Sequence, residues 1–313
     1  MSEPLVIATR ESPLALAQAR YVQDLLASVA APRPVTLAPM TTRGDQILDR
    51  ALSKVGGKGL FIKELEVAMA EGRAQLAVHS LKDVPMVLPR GFALAAILER
   101  EDPRDAFVCT RFASLEELPA GARVGTSSLR RAALLKRRYP SLSFVAVRGN
   151  VNTRLAKLDR GEVDALILAA AGLKRLGLAE RIGAVLPVEV SLPAPGQAAL
   201  GIEVRSEDEE TAELVSALDH APTAVCCLAE REVSRQLGGS CELPLAAYAE
   251  WVEAPQPLRL RALLASPDGR QLVQAEAFGS PDAPEALGAE VANRLRAAGA
   301  DDLIRQIREE SAS

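Results

Sequence analysis

The sequence has few of the residues that mark several common classes of protein. Aromatic side chains make up only 3% of its 313 residues, which argues against a base-stacking surface for single-stranded nucleic acid. Four cysteines without a Cys-x-x-Cys spacing and only two histidines make a zinc site or a disulfide framework unexpected. No apolar run approaches the roughly 20 residues of a membrane span, and Glu3-Pro4 does not suit a signal peptide. The sequence therefore predicts a cytoplasmic protein.

Common nucleotide-binding and hydrolase motifs are absent as well. There is no G-x-G-x-x-G after the first predicted strand and no G-x-x-x-x-G-K-[ST], and H-E-x-x-H and G-x-S-x-G are also missing. The glycine-rich segment 55–59 lacks the Ser or Thr that follows the lysine of a phosphate loop. Dinucleotide, nucleotide-triphosphate, zinc-protease and esterase chemistries are therefore not expected.

What the sequence does have is a basic segment within an acidic chain. Residues 123–175 contain 12 Lys and Arg against 3 Asp and Glu, whereas the whole chain has a net charge of −4. A local excess of positive charge attracts anions. Arg130, Arg131 and Arg148 also stand beside Gly, Ser, Thr or Asn, whose N–H and hydroxyl groups bind carboxylate or phosphate oxygens. We therefore expect an anion site there, whereas the basic run 136–138 suits a solvent-exposed helix face.

Alternating strand and helix patterns predict an α/β fold followed by a small α+β region. The pattern in the first half of the sequence predicts βαβ units, and Ser12-Pro13 is expected at the start of the first helix. We expect the chain to cross between two similar doubly wound lobes at the charged segment 99–105 and again at the prolines in 187–195. Such lobes resemble those of periplasmic binding proteins and would enclose a hinged cleft. The predicted domains are 1–98 with 199–217, 103–192, and 221–313.

Two short segments could carry chemistry, and each also has a purely structural interpretation. Lys82 and Asp83 would stand at the carboxyl end of a strand, where a carboxylate can stabilise a developing cation. The alternative is a surface turn with His79 packed in the core. Glycines before Cys241 would expose its sulfur as a nucleophile or attachment point, or else Cys241 is a buried residue at a strand start. Both alternatives stay open on spacing alone.

Together, these segments resemble the porphobilinogen deaminase family, whose members are also called hydroxymethylbilane synthases. The resemblance runs from Leu5 to about Ile307. The matching segments are 7–15, 42–45, 54–61, 79–85, 101–106, 125–131, 148–150 and the Gly-Ser-Cys loop. The resemblance implies a transferase of porphyrin (heme) biosynthesis with a dipyrromethane cofactor joined by a thioether to Cys241. Such enzymes condense four porphobilinogen molecules onto that primer, release ammonia each time, and then free linear hydroxymethylbilane by hydrolysis.

The resemblance also implies roles for individual residues. Asp83 matches the catalytic aspartate, whose carboxylate would accept hydrogen bonds from pyrrole N–H groups and stabilise the cation left by ammonia loss. The implied cofactor- and substrate-binding residues are Arg10, Ser12, Gln18, Lys82, Thr126, Ser127, Ser128, Arg130, Arg131, Arg148, Gly149, Asn150 and Arg154. Lys54, Lys58 and Phe61 belong to a segment that matches a mobile lid, which would keep water from the cation. The family is usually monomeric, and the resemblance implies no metal.

Two functions from other classes are alternatives to this one. A two-lobed small-anion binding protein without catalysis would share the first two domains but would not need a third domain with an accessible cysteine. A nucleic-acid binder is disfavoured by the low aromatic content, the net acidity and the lack of a recognition-helix motif. Departures from the family pattern are small. The segment 196–199 has alanine where many relatives carry a second glycine, and the Cys226-Cys227 pair is not a family signature.

Overall fold

The computed structural model describes residues 3–42, 44, 62–238 and 243–312. Within these ranges, no helix combines the length and apolar character that crossing a membrane requires. The chain forms two compact units: Met1–Glu101 with Ala198–Ala224, and Asp102–Gln197 with Val225–Ser313. The division into three domains stays a prediction.

The elements follow the predicted alternation of strands and helices. The strands are β1 (Leu5–Arg10), β2 (Val35–Met40), β3 (Leu76–Ser80), β4 (Phe92–Ile97), β5 (Asp105–Val108), β6 (Arg123–Gly125), β7 (Ser143–Val145), β8 (Ala165–Ala169), β9 (Ala184–Val185), β10 (Leu200–Arg205), β11 (Leu245–Trp251), β12 (Leu258–Ala265) and β13 (Leu272–Gly279). The helices are α1 (Pro13–Val29), α2 (Lys63–Ala70), α3 (Leu129–Arg138), α4 (Val151–Asp159), α5 (Ala170–Arg175), α6 (Glu209–Ser216), α7 (Ala221–Gln236), α8 (Pro284–Ala297) and α9 (Ala300–Ala312). Short 3₁₀ turns lie at Leu81–Asp83 and Ala179–Arg181.

The first unit is built on a five-stranded sheet in the order β2-β1-β3-β10-β4. β1 pairs in parallel with both β2 and β3, while β10 pairs antiparallel with β3 and β4. The predicted strand that returns to the first sheet near residue 200 is therefore confirmed, and it enters antiparallel. Buried side chains of α1, such as Val22 and Leu26, pack with Leu5, Ile7 and Leu76 of the sheet.

The second unit contains a sheet of the same plan, in the order β7-β6-β8-β5-β9. β6 pairs in parallel with β7 and β8, and β5 pairs antiparallel with β8 and β9. The prediction of two similar α/β lobes is confirmed. β5 was not predicted, because its first residue, Asp105, ends a charged segment of the kind that usually connects elements.

The remainder of the second unit has the α+β character predicted from the sequence. β11, β12 and β13 form an antiparallel meander. Alternate residues of β12, beginning with Leu258 and Leu260, are fully buried and pack with α8 residues such as Val291 and Leu295. This period of two is what a sheet with one covered face requires.

Ala198 adopts a backbone conformation that favours glycine. Its φ is +74°, and within the described ranges it is the non-glycine residue with a positive φ. The residue belongs to the segment 196–199, where the sequence departs from the family pattern by having alanine instead of glycine. A Cβ atom in this left-handed region is crowded by the neighbouring backbone.

We expect Ala198→Gly to raise the free energy of unfolding by up to about 1 kcal/mol, because relief of the left-handed strain exceeds the entropy cost of glycine. Ala199→Gly is the matched control next in the chain, and it should lower that free energy by at least about 0.5 kcal/mol. Urea denaturation of the two variants measures both values. An Ala198→Gly protein less stable than the wild type would contradict the expectation.

Candidate active site

The first sheet brings several predicted site residues to one edge. β1 and β3 are parallel neighbours, so Arg10 at the end of β1 and the turn Leu81–Asp83 after β3 lie at the same edge of the sheet. A cavity of about 60 Å³ opens there. Its lining residues are Arg10, Ser12, Leu14, Ala15, Gln18, Ile62, Val78, His79, Ser80 and Asp83.

Asp83 is the exposed carboxylate of this cavity. It makes no hydrogen bond or ion pair to any residue that the structure describes, whereas its neighbour Lys82 is half-buried. The turn that carries Asp83 is anchored through the backbone, because Leu81 N–H donates to the carbonyl of Ala199 at 3.0 Å. A fixed turn with an unpaired carboxylate can accept hydrogen bonds from a ligand without first breaking its own.

Two of the predicted binding residues at this cavity, Ser12 and Gln18, also make hydrogen bonds that stabilise the fold. Ser12 is the N-cap of α1, and its hydroxyl accepts the N–H of Ala15. Gln18 is buried, and its amide donates to the hydroxyl of Ser80 at 2.9 Å. Gln18 thus ties α1 to the end of β3, just before the turn that carries Asp83.

In the second unit, the predicted hydroxyl and amide groups lie in two turns at one edge of the sheet. β6 and β7 are parallel neighbours, and each is followed by a helix that an N-cap residue begins. Ser128 accepts the N–H of Arg131, and Asn150 accepts the N–H of Thr153. Thr126 accepts the N–H of Ser128 at 3.2 Å. Ser127 donates to the carbonyl of Val147 at 2.5 Å.

Arg148 and Gly149 belong to the second of these turns, and Arg154 of α4 contacts it. Gly149 has φ +106°, and a Cβ there would lie 2.6 Å from the Thr153 side chain. Arg154 Nε donates to the Gly149 carbonyl at 2.8 Å, which holds this half-buried side chain across the turn. Arg148 is half-buried as well.

Arg130 and Arg131 are buried and surround a single carboxylate. Asp105 Oδ2 lies 2.9 Å from Arg130 Nη1, and Asp105 Oδ1 lies 2.7 Å from Arg131 Nη2. Asp105 is fully buried, and it also accepts hydrogen bonds from the hydroxyl of Ser191 and the amide of Gln197. Burial by itself raises the pKa of Asp105, but the two guanidinium groups lower the pKa by more than burial raises it and hold it well below its usual range.

This cluster has the properties needed to hold a further carboxylate. Two guanidinium charges face one carboxylate in a buried setting, which leaves positive charge unbalanced. Arg130 Nε is buried and has no hydrogen-bond partner among the described residues. An unpaired buried donor beside excess positive charge is a fit for an acidic ligand such as a pyrrole that carries carboxylate side chains.

The basic helix face is only partly exposed. Arg137 and Arg138 of α3 face solvent as expected, but Lys136 is half-buried, and its ammonium group donates to the Pro267 carbonyl at 3.4 Å. The predicted attachment residue Cys241 and the predicted lid residues Lys54, Lys58 and Phe61 lie outside the described residues.

Sequence reasoning missed Asp105, Ser191 and Gln197 as partners of the arginines. Asp105 lies inside the segment 101–106 that matches the family, so that match was a signal for it. Ser191 and Gln197 are 86 and 92 residues from Asp105, and no local pattern marks them.

Two sheets of one plan and a buried arginine pair around the Asp105 carboxylate define a mixed α/β protein with two similar lobes. Residues 5–213 match the family model described as "Porphobilinogen deaminase, dipyromethane cofactor binding domain". Residues 224–297 match "Porphobilinogen deaminase, C-terminal domain". The chain belongs to the porphobilinogen deaminase family.

Curated relatives match over nearly the full length. Porphobilinogen deaminase of Ralstonia nicotianae is 62% identical over 303 residues, covering 96% of this chain and 90% of that protein. Porphobilinogen deaminase of Nitrosomonas europaea is 56% identical over 306 residues, covering 97% of this chain and 99% of that protein. A methionine-bound nutrient binding protein from Burkholderia cenocepacia is similar at 14% identity with a TM-score of 0.43, covering 68% of this chain and 89% of that chain.

We expect Asp105→Asn to lower the free energy of unfolding by about 3–5 kcal/mol, because it leaves two buried guanidinium groups without their carboxylate. Asp159→Asn is the control, since that carboxylate pairs with Arg181 at the surface and should contribute about 0–1 kcal/mol. Urea denaturation compares the two variants. Equal effects would show that the buried cluster is no more important to stability than a surface ion pair.

Proposed function

We propose that this protein is a porphobilinogen deaminase, a transferase that condenses four porphobilinogen molecules and releases ammonia at each step. The final product is linear hydroxymethylbilane. Membership of the family and the match of residues 5–213 to its cofactor-binding domain support this function. A cytoplasmic location and a monomeric state are part of the proposal, on the basis of the sequence and the family resemblance.

The unpaired carboxylate of Asp83 is the observation that carries the catalytic role. Asp105 is an aspartate with a structural role, because it is buried and hydrogen-bond donors surround its carboxylate. Asp83 is exposed, lines a cavity with Arg10, and has no partner among the described residues. Porphobilinogen that loses ammonia becomes a cation, and a fixed carboxylate stabilises such a charge. A protein that only binds anions would gain nothing from a negative group at this place.

The basic residues supply the binding of carboxylate side chains. Each porphobilinogen ring carries an acetate and a propionate, so arginines can bind it in bidentate fashion. We assign this role to Arg10, Arg130, Arg131, Arg148 and Arg154, together with Lys82. For Arg130, the unpaired Nε is the group that would receive the ligand, while its other nitrogens stay on Asp105 and the Leu192 carbonyl.

The remaining polar groups of the site orient the arginines. Ser128 and Asn150 are the N-caps of α3 and α4. The first turns of both helices carry arginines and lie at the same edge of the sheet. The N–H groups of a helix start also favour a negative ligand. Cys241 would hold the dipyrromethane, which would supply the terminal pyrrole carbon that displaces the amino group of the first substrate as ammonia.

The attachment can be tested on the purified protein by mass spectrometry. The intact chain is expected to carry the mass excess of a dipyrromethane, and peptide mapping is expected to place it on Cys241. Cys241→Ser should lose both the excess and turnover, while Cys109→Ser, a control at a half-buried free cysteine, should keep both. An unmodified chain that still turned over porphobilinogen would defeat the proposed function.

We expect Asp83→Asn to keep the dipyrromethane but to lose about 10²–10³-fold in kcat, because the neutral amide does not stabilise the cation. Asp24→Asn on the exposed face of α1 is the control and should have normal turnover. Single-turnover assays with porphobilinogen measure the loss. Near-normal turnover of Asp83→Asn would remove the catalytic role from this residue.

A further inference from the structure

The segment 191–197, which we call the bridging segment, supplies several of the hydrogen bonds that hold the two buried arginines. The Leu192 carbonyl accepts a hydrogen bond from Arg130 Nη1 at 2.6 Å, and the side-chain oxygen of Gln197 accepts one from Arg131 Nη2 at 3.3 Å. The position of both guanidinium groups therefore depends on how the bridging segment is held.

The bridging segment is buried although it belongs to neither a helix nor a strand. All of its residues except Ala194 are buried. Burial of backbone N–H and C=O groups is unfavourable unless they find hydrogen-bond partners, and outside helices and strands those partners have to come from elsewhere in the protein. Pro193 and Pro195 have no backbone N–H to offer, so the segment depends on its few remaining backbone groups.

Glu230 of α7 supplies one of these partners. Its side chain is fully buried, and its Oε2 accepts the Gly196 N–H at 2.7 Å. Oε1 of the same carboxyl group accepts the Ala249 N–H of β11 at 2.8 Å. A single side chain thus joins α7, β11 and the bridging segment, at the residue directly before Gln197.

β11 makes a second contact with the same segment. The Ala247 N–H donates to the Pro193 carbonyl at 3.2 Å. The bridging segment is therefore hydrogen-bonded both to the arginines and to α7 and β11. Since α7 and β11 belong to the predicted domain 221–313, this part of the chain bears on the arginines of the predicted domain 103–192.

We propose that Glu230 is a positioning residue for substrate binding: by holding the bridging segment, it keeps Arg130 and Arg131 in the geometry that binds carboxylates. The proposal rests on the proposed function, because the two arginines are assigned there to the carboxylate side chains of porphobilinogen. Glu230 acts through the arginines and not on the reacting atoms. Its replacement should therefore weaken substrate binding more than it slows the chemical step at Asp83.

Glu230→Gln tests this role with a side chain of the same shape. The amide oxygen still accepts one backbone N–H, but the amide nitrogen accepts none, so one of the two buried N–H groups loses its partner. We expect the KM of the holoenzyme for porphobilinogen to rise about 5- to 10-fold, while kcat changes by less than about 2-fold. Steady-state assays measure both constants.

Glu232→Gln is the matched control on the same helix. Glu232 is also buried, but its carboxylate accepts hydrogen bonds from Arg235 and Gln236, which belong to α7 itself. Its KM should stay within about 2-fold of the wild-type value. An unchanged KM in Glu230→Gln, or equal rises in the two variants, would overturn the proposal.

A double-mutant cycle shows whether the effect passes through the bridging segment. Gln197→Ala removes the side chain that accepts a hydrogen bond from Arg131, and it should raise KM by itself. If Glu230 acts through the same segment, the double variant should raise KM by less than the product of the two single factors. A rise equal to that product would mean that the two residues act independently, which contradicts the proposal.

Hydrogen exchange measured by mass spectrometry tests the same link without turnover, and it applies even if the variant does not acquire the dipyrromethane. In Glu230→Gln, amides should exchange several times faster than in the wild type in the bridging segment and in residues 128–135 at the start of α3. α1 in the first unit is the reference and should not change, and Glu232→Gln should leave all three places unchanged. Faster exchange in the bridging segment alone would show that Glu230 holds this segment but not the arginines, and the proposal would fail.

The two proposals can fail separately. If the wild type does not turn over porphobilinogen but Glu230→Gln changes exchange in both places, the proposed function fails and the link from Glu230 to the arginines stands. If the wild type turns over porphobilinogen but Glu230→Gln leaves KM and exchange unchanged, the positioning role fails and the proposed function stands.

Discussion

The burial of Asp105 between two arginines is the interaction on which much of the second unit depends. A carboxylate taken fully out of water is unfavourable unless its partners supply both charge and hydrogen bonds, and Arg130 and Arg131 supply both. Asp105 begins β5, the arginines lie in the first turn of α3, and Gln197 ends the Asp102–Gln197 segment, so one ion cluster fixes three parts of the unit against each other. The cluster still carries excess positive charge. The contacts that hold the fold therefore also leave positive charge at the start of α3.

Asp83 and Asp105 show that the same side chain is used in opposite ways within one chain. Asp105 is saturated by donors, so its charge serves stability and is already neutralised. Asp83 stands on a short turn that the Leu81–Ala199 backbone contact anchors, so its position is fixed while its carboxylate stays available. Preorganisation of this kind costs nothing at the moment when a positive charge develops nearby.

Local patterns predicted the elements well but not the environment of the charged side chains. The Ser12-Pro13 start of α1 and the extent of β2 and β8 follow from capping chemistry and runs of apolar residues, which act over a few residues. β5 was missed because a charged segment that contains a proline usually marks a loop, and distant partners such as Arg130 and Arg131 make Asp105 suitable for a buried strand. The cavity residue His79 and its partner Glu203 are 124 residues apart in sequence, so their contact depends on sheet order, which no short window contains.

The position of β10 in the first sheet also bears on how the chain folds during synthesis. Among the strands that the structure describes, β4 joins that sheet only through β10, and the turn that carries Asp83 is anchored by the residue just before β10. A ribosome must therefore translate about 100 further residues, including all of β5 to β9, before the sheet begun by β1 can close. The first unit therefore starts first but is completed only after the strands of the second sheet have been made, and its unpaired β3 edge has to be kept from intermolecular pairing in the meantime.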